Sequence, residues 1–234
     1  MDKELERIKV IAFDADDTLW ASEPLFKEAE RIWAEALSQY GTPEELSAEL
    51  FKVESANMED LGYGAKAFGL SLVETAIKVS GGKVGADAIS KTLGAVRNIL
   101  HNPAHPLPGV ERTLLSLRGS GKYNLVLLTK GDLLDQENKI RRSGLGKYFD
   151  GTLIVSNKDR GTYRGILTRS AIMPGELLMV GNSFRSDIIP VLEIGGWGAY
   201  VPFHVTWQHE VVEEFDHPRL LKLDSVEGLL PFLL

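Results

Sequence analysis

The sequence contains no cysteine, which excludes disulfide bonds, thiolate metal sites and a cysteine nucleophile. It also lacks any apolar run near the ~20 residues that a membrane-spanning helix requires. Acidic residues outnumber basic residues by 33 to 26, a formal net charge of −7, so we expect no general affinity for nucleic acid or anionic membranes. Residues 1–7 are charged and lack the apolar segment of a signal peptide, which favours a cytoplasmic protein. Because the net charge is negative, any phosphate group that binds must be held by positive charges close to its site.

Short apolar runs alternate with helical patterns through most of the chain. The runs at 10–13, 123–128, 152–155 and 177–180 predict buried strands, and those at 197–203 and 220–223 predict weaker ones. Helical patterns separate them at 110–117, 133–142, 163–171 and 187–194. This repetition predicts an α/β fold with a doubly wound parallel sheet and right-handed crossovers.

One long segment departs from this alternation. Residues 23–102 have helical spacing and no strand pattern, with Pro24 suited to a first helical turn. Thr42 followed by Glu45 predicts a capping box, and further helices are expected at 65–79 and 86–100. We therefore predict a helical domain, residues 23–102, inserted into a core domain of residues 1–22 and 103–234.

A cluster of carboxylates follows the first predicted strand. Asp14, Asp16 and Asp17 stand within four residues, and Thr18 comes next. Ligands of open α/β sheets bind beyond the carboxyl ends of the strands, so this position favours a binding or catalytic site. The mutual repulsion of three acidic groups is easier to understand if a cation lies among them. The alternative interpretation is that these residues are ordinary turn and helix-capping residues.

Polar residues also follow the next three predicted strands. Thr129 and Lys130 end the second strand, Lys158 follows the third, and Asp187 lies shortly after the fourth. Because the carboxyl ends of parallel strands meet at one edge of the sheet, we expect these side chains to approach Asp14. Taken singly, each could instead be a helix cap, a solvated lysine or an acid near a helix N-terminus.

Together these segments resemble the four signatures of the haloacid dehalogenase-like hydrolases. D-x-D-x-T matches residues 14–18, an apolar strand ending in Thr matches residues 125–129, Lys158 precedes a helix, and G-[DN]-S-x-x-x-D matches residues 181–187. The resemblance covers residues 8–20 and 108–205. It implies a Rossmann-like core, and the inserted helices resemble the family's first class of cap.

The resemblance also implies a chemistry and a role for each residue. Most members are Mg²⁺-dependent phosphatases, so Asp14 would be the nucleophile and Asp16 the general acid and base. The Mg²⁺ ligands would be the carboxylates of Asp14 and Asp187 and the main-chain carbonyl of Asp16. The residues matching the phosphate-binding positions or their neighbours are Thr129, Lys130 and Lys158, with Asn182 and Ser183 as supporting groups.

Several alternatives stay open. Asp16 favours phosphoryl transfer over dehalogenation, but a phosphomutase keeps the same residues, and a phosphate-sensing or scaffold protein is the non-enzymatic alternative. Asn182 replaces an aspartate that many members have, which removes a negative charge near the metal position. His204 and His209 either contact substrate or lie in an exposed loop. A cap predicts a small phosphorylated metabolite as substrate, whereas the sequence specifies neither its identity nor the oligomeric state.

Overall fold

The computed structural model describes residues 2–234, and its centre is a six-stranded parallel sheet. The strands are β1 (Val10–Phe13), β2 (Asn124–Lys130), β3 (Gly151–Val155), β4 (Leu177–Gly181), β5 (Trp197–Tyr200) and β6 (Leu220–Lys222). Their spatial order is β3-β2-β1-β4-β5-β6, so the chain changes direction across the sheet between β1 and β4. The predicted doubly wound α/β fold is confirmed, and its switch point lies beside β1.

The sheet has an apolar core on each face. Ile11 and Phe13 of β1 belong to one cluster of buried side chains, whereas Val10 and Ala12 belong to another. Successive side chains of a strand point to opposite faces, so a strand without polar residues supplies both cores at once. This explains why all four residues of β1 are buried, as expected for a strand that lies inside the sheet between β2 and β4.

The helices are α1 (Asp2–Leu5), α2 (Glu23–Ala36), α3 (Pro43–Leu61), α4 (Ala65–Val79), α5 (Ala86–Leu100), α6 (Val110–Gly119), α7 (Leu133–Ser143), α8 (Arg160–Ser170), α9 (Ile189–Glu193) and α10 (Leu230–Leu233). Within residues 2–234, none of these helices has both the length and the apolar character needed to cross a bilayer.

Three predicted boundaries were wrong by three residues. The helix expected from residue 163 begins at Arg160, because the Asp159 side chain accepts a hydrogen bond from the backbone N–H of Thr162. The helix expected at 187–194 is a π-helical turn, Phe184–Ile188, followed by the short α9. The Ser183 side chain caps this turn by accepting a hydrogen bond from the backbone N–H of Ser186. The fifth strand ends at Tyr200 rather than at residue 203, and Pro202 beyond it has no N–H to donate.

The chain divides into two compact units. One contains Ser22–Pro103 and Gly131–Glu137, and the other contains the described residues before Ser22 together with Ala104–Lys130 and Asn138–Leu234. The first unit includes α2 to α5 and none of the six strands. Its helices bury a core of their own around Trp33, whose indole N–H donates to the carbonyl of Leu72 at 3.0 Å. The assignment of the two units as core and cap domains stays a prediction.

The capping box predicted at the second inserted helix is present. Thr42 Oγ1 accepts from the backbone N–H of Glu45, and the Glu45 carboxylate accepts from the backbone N–H of Thr42. Both groups satisfy helix-end donors that would otherwise lack an intrahelical partner. The local sequence signal therefore fixes where α3 begins.

Candidate active site

The turn after β1 fixes the orientation of Asp14. The Asp14 backbone N–H still donates to Val180 of β4, at 2.9 Å, so its position is set by the sheet. The chain then folds back through hydrogen bonds from Thr18 and Leu19 to the carbonyl of Ala15. Thr18 Oγ1 thereby comes within 2.9 Å of Asp14 Oδ2 and donates to it. One carboxylate oxygen of Asp14 is held by its own turn.

Lys158 links Asp14 to Asp187. It directly precedes Asp159, the N-cap of α8, and its Nζ contacts Oδ1 of Asp14 and lies 2.7 Å from Oδ1 of Asp187. Only 2% of the Lys158 side chain is exposed. Burial by itself would lower the pKa of Lys158, but the charges of the two carboxylates raise the pKa above its ordinary value. Lys158 is therefore a buried ammonium that joins two buried carboxylates.

Asp187 is fixed by the turn that follows β4. Its Oδ2 accepts a hydrogen bond from the backbone N–H of Ser183 at 3.0 Å. A side chain at Gly181 would clash with the carboxylate, so glycine is required for this close approach. Tyr163 of α8 also supports the turn, because its hydroxyl donates to the carbonyl of Ser186 at 2.9 Å. Burial raises the pKa of Asp187 to about 7; Lys158 opposes the rise and the Asp14 charge adds to it.

The charges in this cluster fit a divalent cation bound by oxygen. Asp14 and Asp187 are 7% and 0% exposed, and the single Lys158 ammonium leaves an excess of negative charge when both carboxylates are ionised. Across residues 2–234, no three acidic, histidine or cysteine side chains form a metal-binding group. Mg²⁺ commonly takes only one or two protein carboxylates and completes its shell with phosphate and water. Asp14 and Asp187 are therefore the side chains of this cluster that could hold such an ion.

Asp16 is held by two donors that the sequence did not reveal. Lys139 Nζ lies 2.9 and 2.7 Å from Oδ1 and Oδ2 of Asp16, and Trp20 Nε1 donates to Oδ1 at 2.8 Å. Lys139 is on α7, where Leu133 and Leu134 are exposed and Lys139 is buried. This reverses the usual helical pattern, so hydropathy offered no signal for Lys139.

The two residues that end β2 differ in their surroundings. Thr129 is 1% exposed and is paired in register with Ile154 of β3. Lys130 Nζ lies 3.0 Å from Ser186 Oγ and contacts the carboxylate of Glu210, in the loop after β5. Burial raises the pKa of Glu210, but Lys130 and the serine hydroxyls outweigh this effect and the pKa is lowered. Sequence reasoning missed Glu210, which carries no motif.

Asn182 and Ser183 belong to the same hydrogen-bond network. The backbone N–H of Asn182 donates to Thr18 Oγ1 at 3.0 Å, which ties the turn after β4 to the turn after β1. Ser183 Oγ donates to Glu210 and accepts from the backbone N–H of Ser186. Asn182 therefore links the turns after β1 and β4, and Ser183 links the turn after β4 to the loop after β5.

The two histidines lie in the loop after β5. His204 is exposed and packs on the Phe203 ring, with 4.2 Å between ring centroids. His209 is partly buried against Trp207, with 4.7 Å between centroids, and its carbonyl accepts from Arg185. Both residues lie in the loop, as one alternative predicted, but only His204 is exposed; contact of either residue with a substrate stays a prediction.

The contacts of Lys158 with Asp14 and Asp187 lie beside the switch point of the parallel sheet, where ligands of open α/β sheets bind. A family model described as haloacid dehalogenase-like hydrolase matches residues 8–195. The chain therefore belongs to the haloacid dehalogenase-like hydrolases, and the predicted family is confirmed.

This chain is similar to proteins named as phosphatases and to a hydrolase whose structure has been solved. Glyceraldehyde 3-phosphate phosphatase of Pyrococcus furiosus is 27% identical over 199 residues, which cover 82% of this chain and 79% of the relative. The protein of the same name from Methanopyrus kandleri is 28% identical over 192 residues, 77% and 78% of the two chains. A haloacid dehalogenase-like family hydrolase from Xanthomonas campestris superposes with a TM-score of 0.85 at 37% identity, covering 95% of this chain and 88% of its own.

Proposed function

We propose that this protein is a Mg²⁺-dependent phosphohydrolase that cleaves a small phosphorylated metabolite through an aspartyl phosphate on Asp14. The observation that carries the proposal is the buried contact of one ammonium, Lys158, with the two carboxylates Asp14 and Asp187. The phosphatase names of two relatives support it. A phosphoryl group in transfer needs a nucleophile, a cation and hydrogen-bond donors, and the loops after β1, β3 and β4 carry residue types suited to these roles.

Asp14 is the proposed nucleophile because its carboxylate is buried and oriented. Thr18 bonds one of its oxygens and Lys158 the other. In the first step an Asp14 oxygen forms a bond to phosphorus, the phosphorus bond to the ester oxygen breaks, and Asp16 gives a proton to the departing alcohol. In the second step Asp16 takes a proton from water, the water oxygen bonds to phosphorus, and Asp14 is released with inorganic phosphate.

The proposed metal ligands are the carboxylates of Asp14 and Asp187 and the main-chain carbonyl of Asp16. A bound Mg²⁺ would neutralise charge on the phosphoryl oxygens and orient the group toward Asp14. Asp187 is suited to this role because backbone and side-chain contacts hold its carboxylate without leaving it exposed. Asn182 supplies no charge here, so Asp14 and Asp187 provide the carboxylate charge for the ion.

The proposed phosphate-binding groups are the Thr129 hydroxyl and the ammonium groups of Lys158 and Lys130. Thr129 and Lys130 end the strand beside β1, and Lys158 already contacts the nucleophile. Lys130 is bonded to Glu210 in the structure, so its binding to phosphate requires an exchange of partners. The positive charge of these lysines would offset the charge that accumulates in the transition state.

The substrate is proposed to be a small phosphate ester in the cytoplasm, with neither nucleic acid nor a membrane as partner. The helical unit is inserted in the sequence between the first and second signatures, as the family's first class of cap is, and caps typically exclude water from small substrates. Glyceraldehyde 3-phosphate is the first compound to test, because two relatives are named for it.

The test is a panel of phosphate esters that includes glyceraldehyde 3-phosphate and p-nitrophenyl phosphate, assayed for phosphate release with Mg²⁺ and after EDTA treatment. We expect turnover that requires Mg²⁺ and is lost in Asp14→Asn, whose amide is a poor nucleophile of nearly the same shape. Acid quenching of the wild-type protein should trap phosphate on Asp14. Full turnover in EDTA, or in Asp14→Asn verified free of deamidation, would contradict the proposal. Transfer to a sugar phosphate instead of water would select the phosphomutase alternative.

A further inference from the structure

We infer that Lys139 and Trp20 are positioning residues that hold the Asp16 carboxyl group in place for proton transfer. The inference rests on the proposed function, in which Asp16 exchanges protons with the leaving alcohol and with water. Lys139 donates to both oxygens of Asp16, and Trp20 donates to Oδ1. The two donors come from separate elements, since Trp20 ends the turn after β1 and Lys139 lies on α7.

The side chains of Lys139 and Asp16 differ in their exposure to solvent. The Lys139 side chain is 3% exposed, whereas the Asp16 side chain is 27% exposed. A buried lysine holding a partly accessible carboxylate leaves that carboxylate able to meet a reactant.

Stability alone is a weak reason for this arrangement. Desolvating an ammonium is unfavourable, and a buried ion pair often stabilises a fold no better than apolar residues of the same volume. A contact to both oxygens of Asp16 instead limits rotation of the carboxyl group about its side-chain bonds. Trp20 adds a donor on Oδ1 from a second direction, so the group is fixed from two sides.

Fixed orientation matters because one carboxyl group must serve both steps. A catalytic group displaced by about 1 Å can lose on the order of 10² in rate. Lys139 and Trp20 are themselves buried, so they hold the Asp16 carboxyl group in one orientation during both steps. Removing either donor should therefore weaken proton transfer more than it weakens attack by Asp14.

The variants that test this are Lys139→Met, Lys139→Arg and Trp20→Phe. Met keeps much of the lysine stem without the charge, Arg restores a cationic donor, and Phe keeps an aromatic ring without the N–H. Lys147→Met is the matched control, because Lys147 is 63% exposed and pairs with Glu111 at the surface. Folding is checked by thermal denaturation, and Trp20→Phe keeps the test available if Lys139→Met does not fold.

The substrates are p-nitrophenyl phosphate and phenyl phosphate, which have similar shapes but differ in how much the leaving group needs a proton. We expect kcat/KM for phenyl phosphate to fall about 10- to 100-fold in Lys139→Met and Trp20→Phe, and that for p-nitrophenyl phosphate by less than about threefold. Lys139→Arg should recover part of the loss, and Lys147→Met should change neither substrate.

Lys139→Met and Trp20→Phe are then each combined with Asp16→Asn. If they act through Asp16, they should leave the ratio of the two kcat/KM values unchanged in that background. Equal losses on both substrates, or an altered ratio in the Asp16→Asn background, would overturn the inference. The proposed function fails separately, when the wild-type protein hydrolyses neither substrate with Mg²⁺.

Discussion

Replacing Lys158 with methionine should destabilise the protein and should be partly compensated by Mg²⁺. Lys158 is 2% exposed, and its carboxylate partners Asp14 and Asp187 have side chains that are 10% and 1% exposed. Removing one partner of a buried ion pair leaves an uncompensated charge and typically costs about 3–5 kcal/mol. Here a single ammonium serves two carboxylates, so we expect Lys158→Met to lie in the upper part of that range.

The measurement is urea denaturation at pH 8, followed by fluorescence, in EDTA and then in increasing Mg²⁺. A ligand that binds only the folded protein adds about 2.7 kcal/mol of stability at 100 times its dissociation constant. The added stability should be greater in Lys158→Met than in the wild-type protein at equal Mg²⁺, because two unpaired carboxylates attract the cation more strongly. Phosphatase activity should fall by ~10² or more even with Mg²⁺, since a donor to the transferred group is lost.

The control is Lys147→Met, an exposed lysine whose surface ion pair should contribute about 1 kcal/mol or less. If Lys158→Met lost no more stability than this control, Lys158 would not be compensating buried carboxylates. If Mg²⁺ stabilised Lys158→Met less than it stabilises the wild-type protein, the carboxylate pair would not be the metal site. Either result would refute the reasoning.

Three further predictions concern single side chains. Asp187→Asn should lose activity equally on p-nitrophenyl phosphate and phenyl phosphate and partly recover at high Mg²⁺, as measured by kcat/KM against Mg²⁺ concentration; no recovery would argue against metal ligation. Burial and the Glu30 charge, opposed by Lys27, raise the pKa of Glu54 to about 7. Ionised Glu54 therefore destabilises the folded protein increasingly as the pH rises from about 4.5 to about 7. Glu54→Gln should raise the free energy of unfolding by about 1–3 kcal/mol at pH 8 and little at pH 4. A difference in the free energy of unfolding that stayed constant between pH 4 and pH 8 would contradict this prediction. Thr42→Ala should lower the free energy of unfolding by about 1 kcal/mol through loss of the capping box, whereas Thr42→Ser should change it little.

The fold was predictable because its signals are local. The apolar run of β1 lies where it was predicted, and the capping box at Thr42 starts α3 as expected. Both depend on neighbouring residues, namely the alternation of faces along a strand and the unsatisfied donors at a helix end. The parallel order of the strands follows from helices placed between them.

The site was only partly predictable. The sequence predicts that Asp14, Lys158 and Asp187 lie close together, because the carboxyl ends of parallel strands share one edge of the sheet. The structure confirms this, since Lys158 contacts both carboxylates. Their assignment as nucleophile, phosphate ligand and metal ligand stays a proposal. The boundaries around Asp187 were wrong, because the Ser183 cap starts its turn earlier than apolar spacing indicates.

The sequence by itself determined the parallel sheet, the family and the position of the acidic turn after β1, since each follows from short-range patterns and ordered motifs. Only the tertiary structure decided that Lys139 bonds Asp16 and that Glu210 bonds Lys130. Lys139 is 123 positions from Asp16 and Glu210 is 80 positions from Lys130. Hydropathy assigns such charged residues to solvent, and they become buried only because folding places an opposite charge within hydrogen-bond distance.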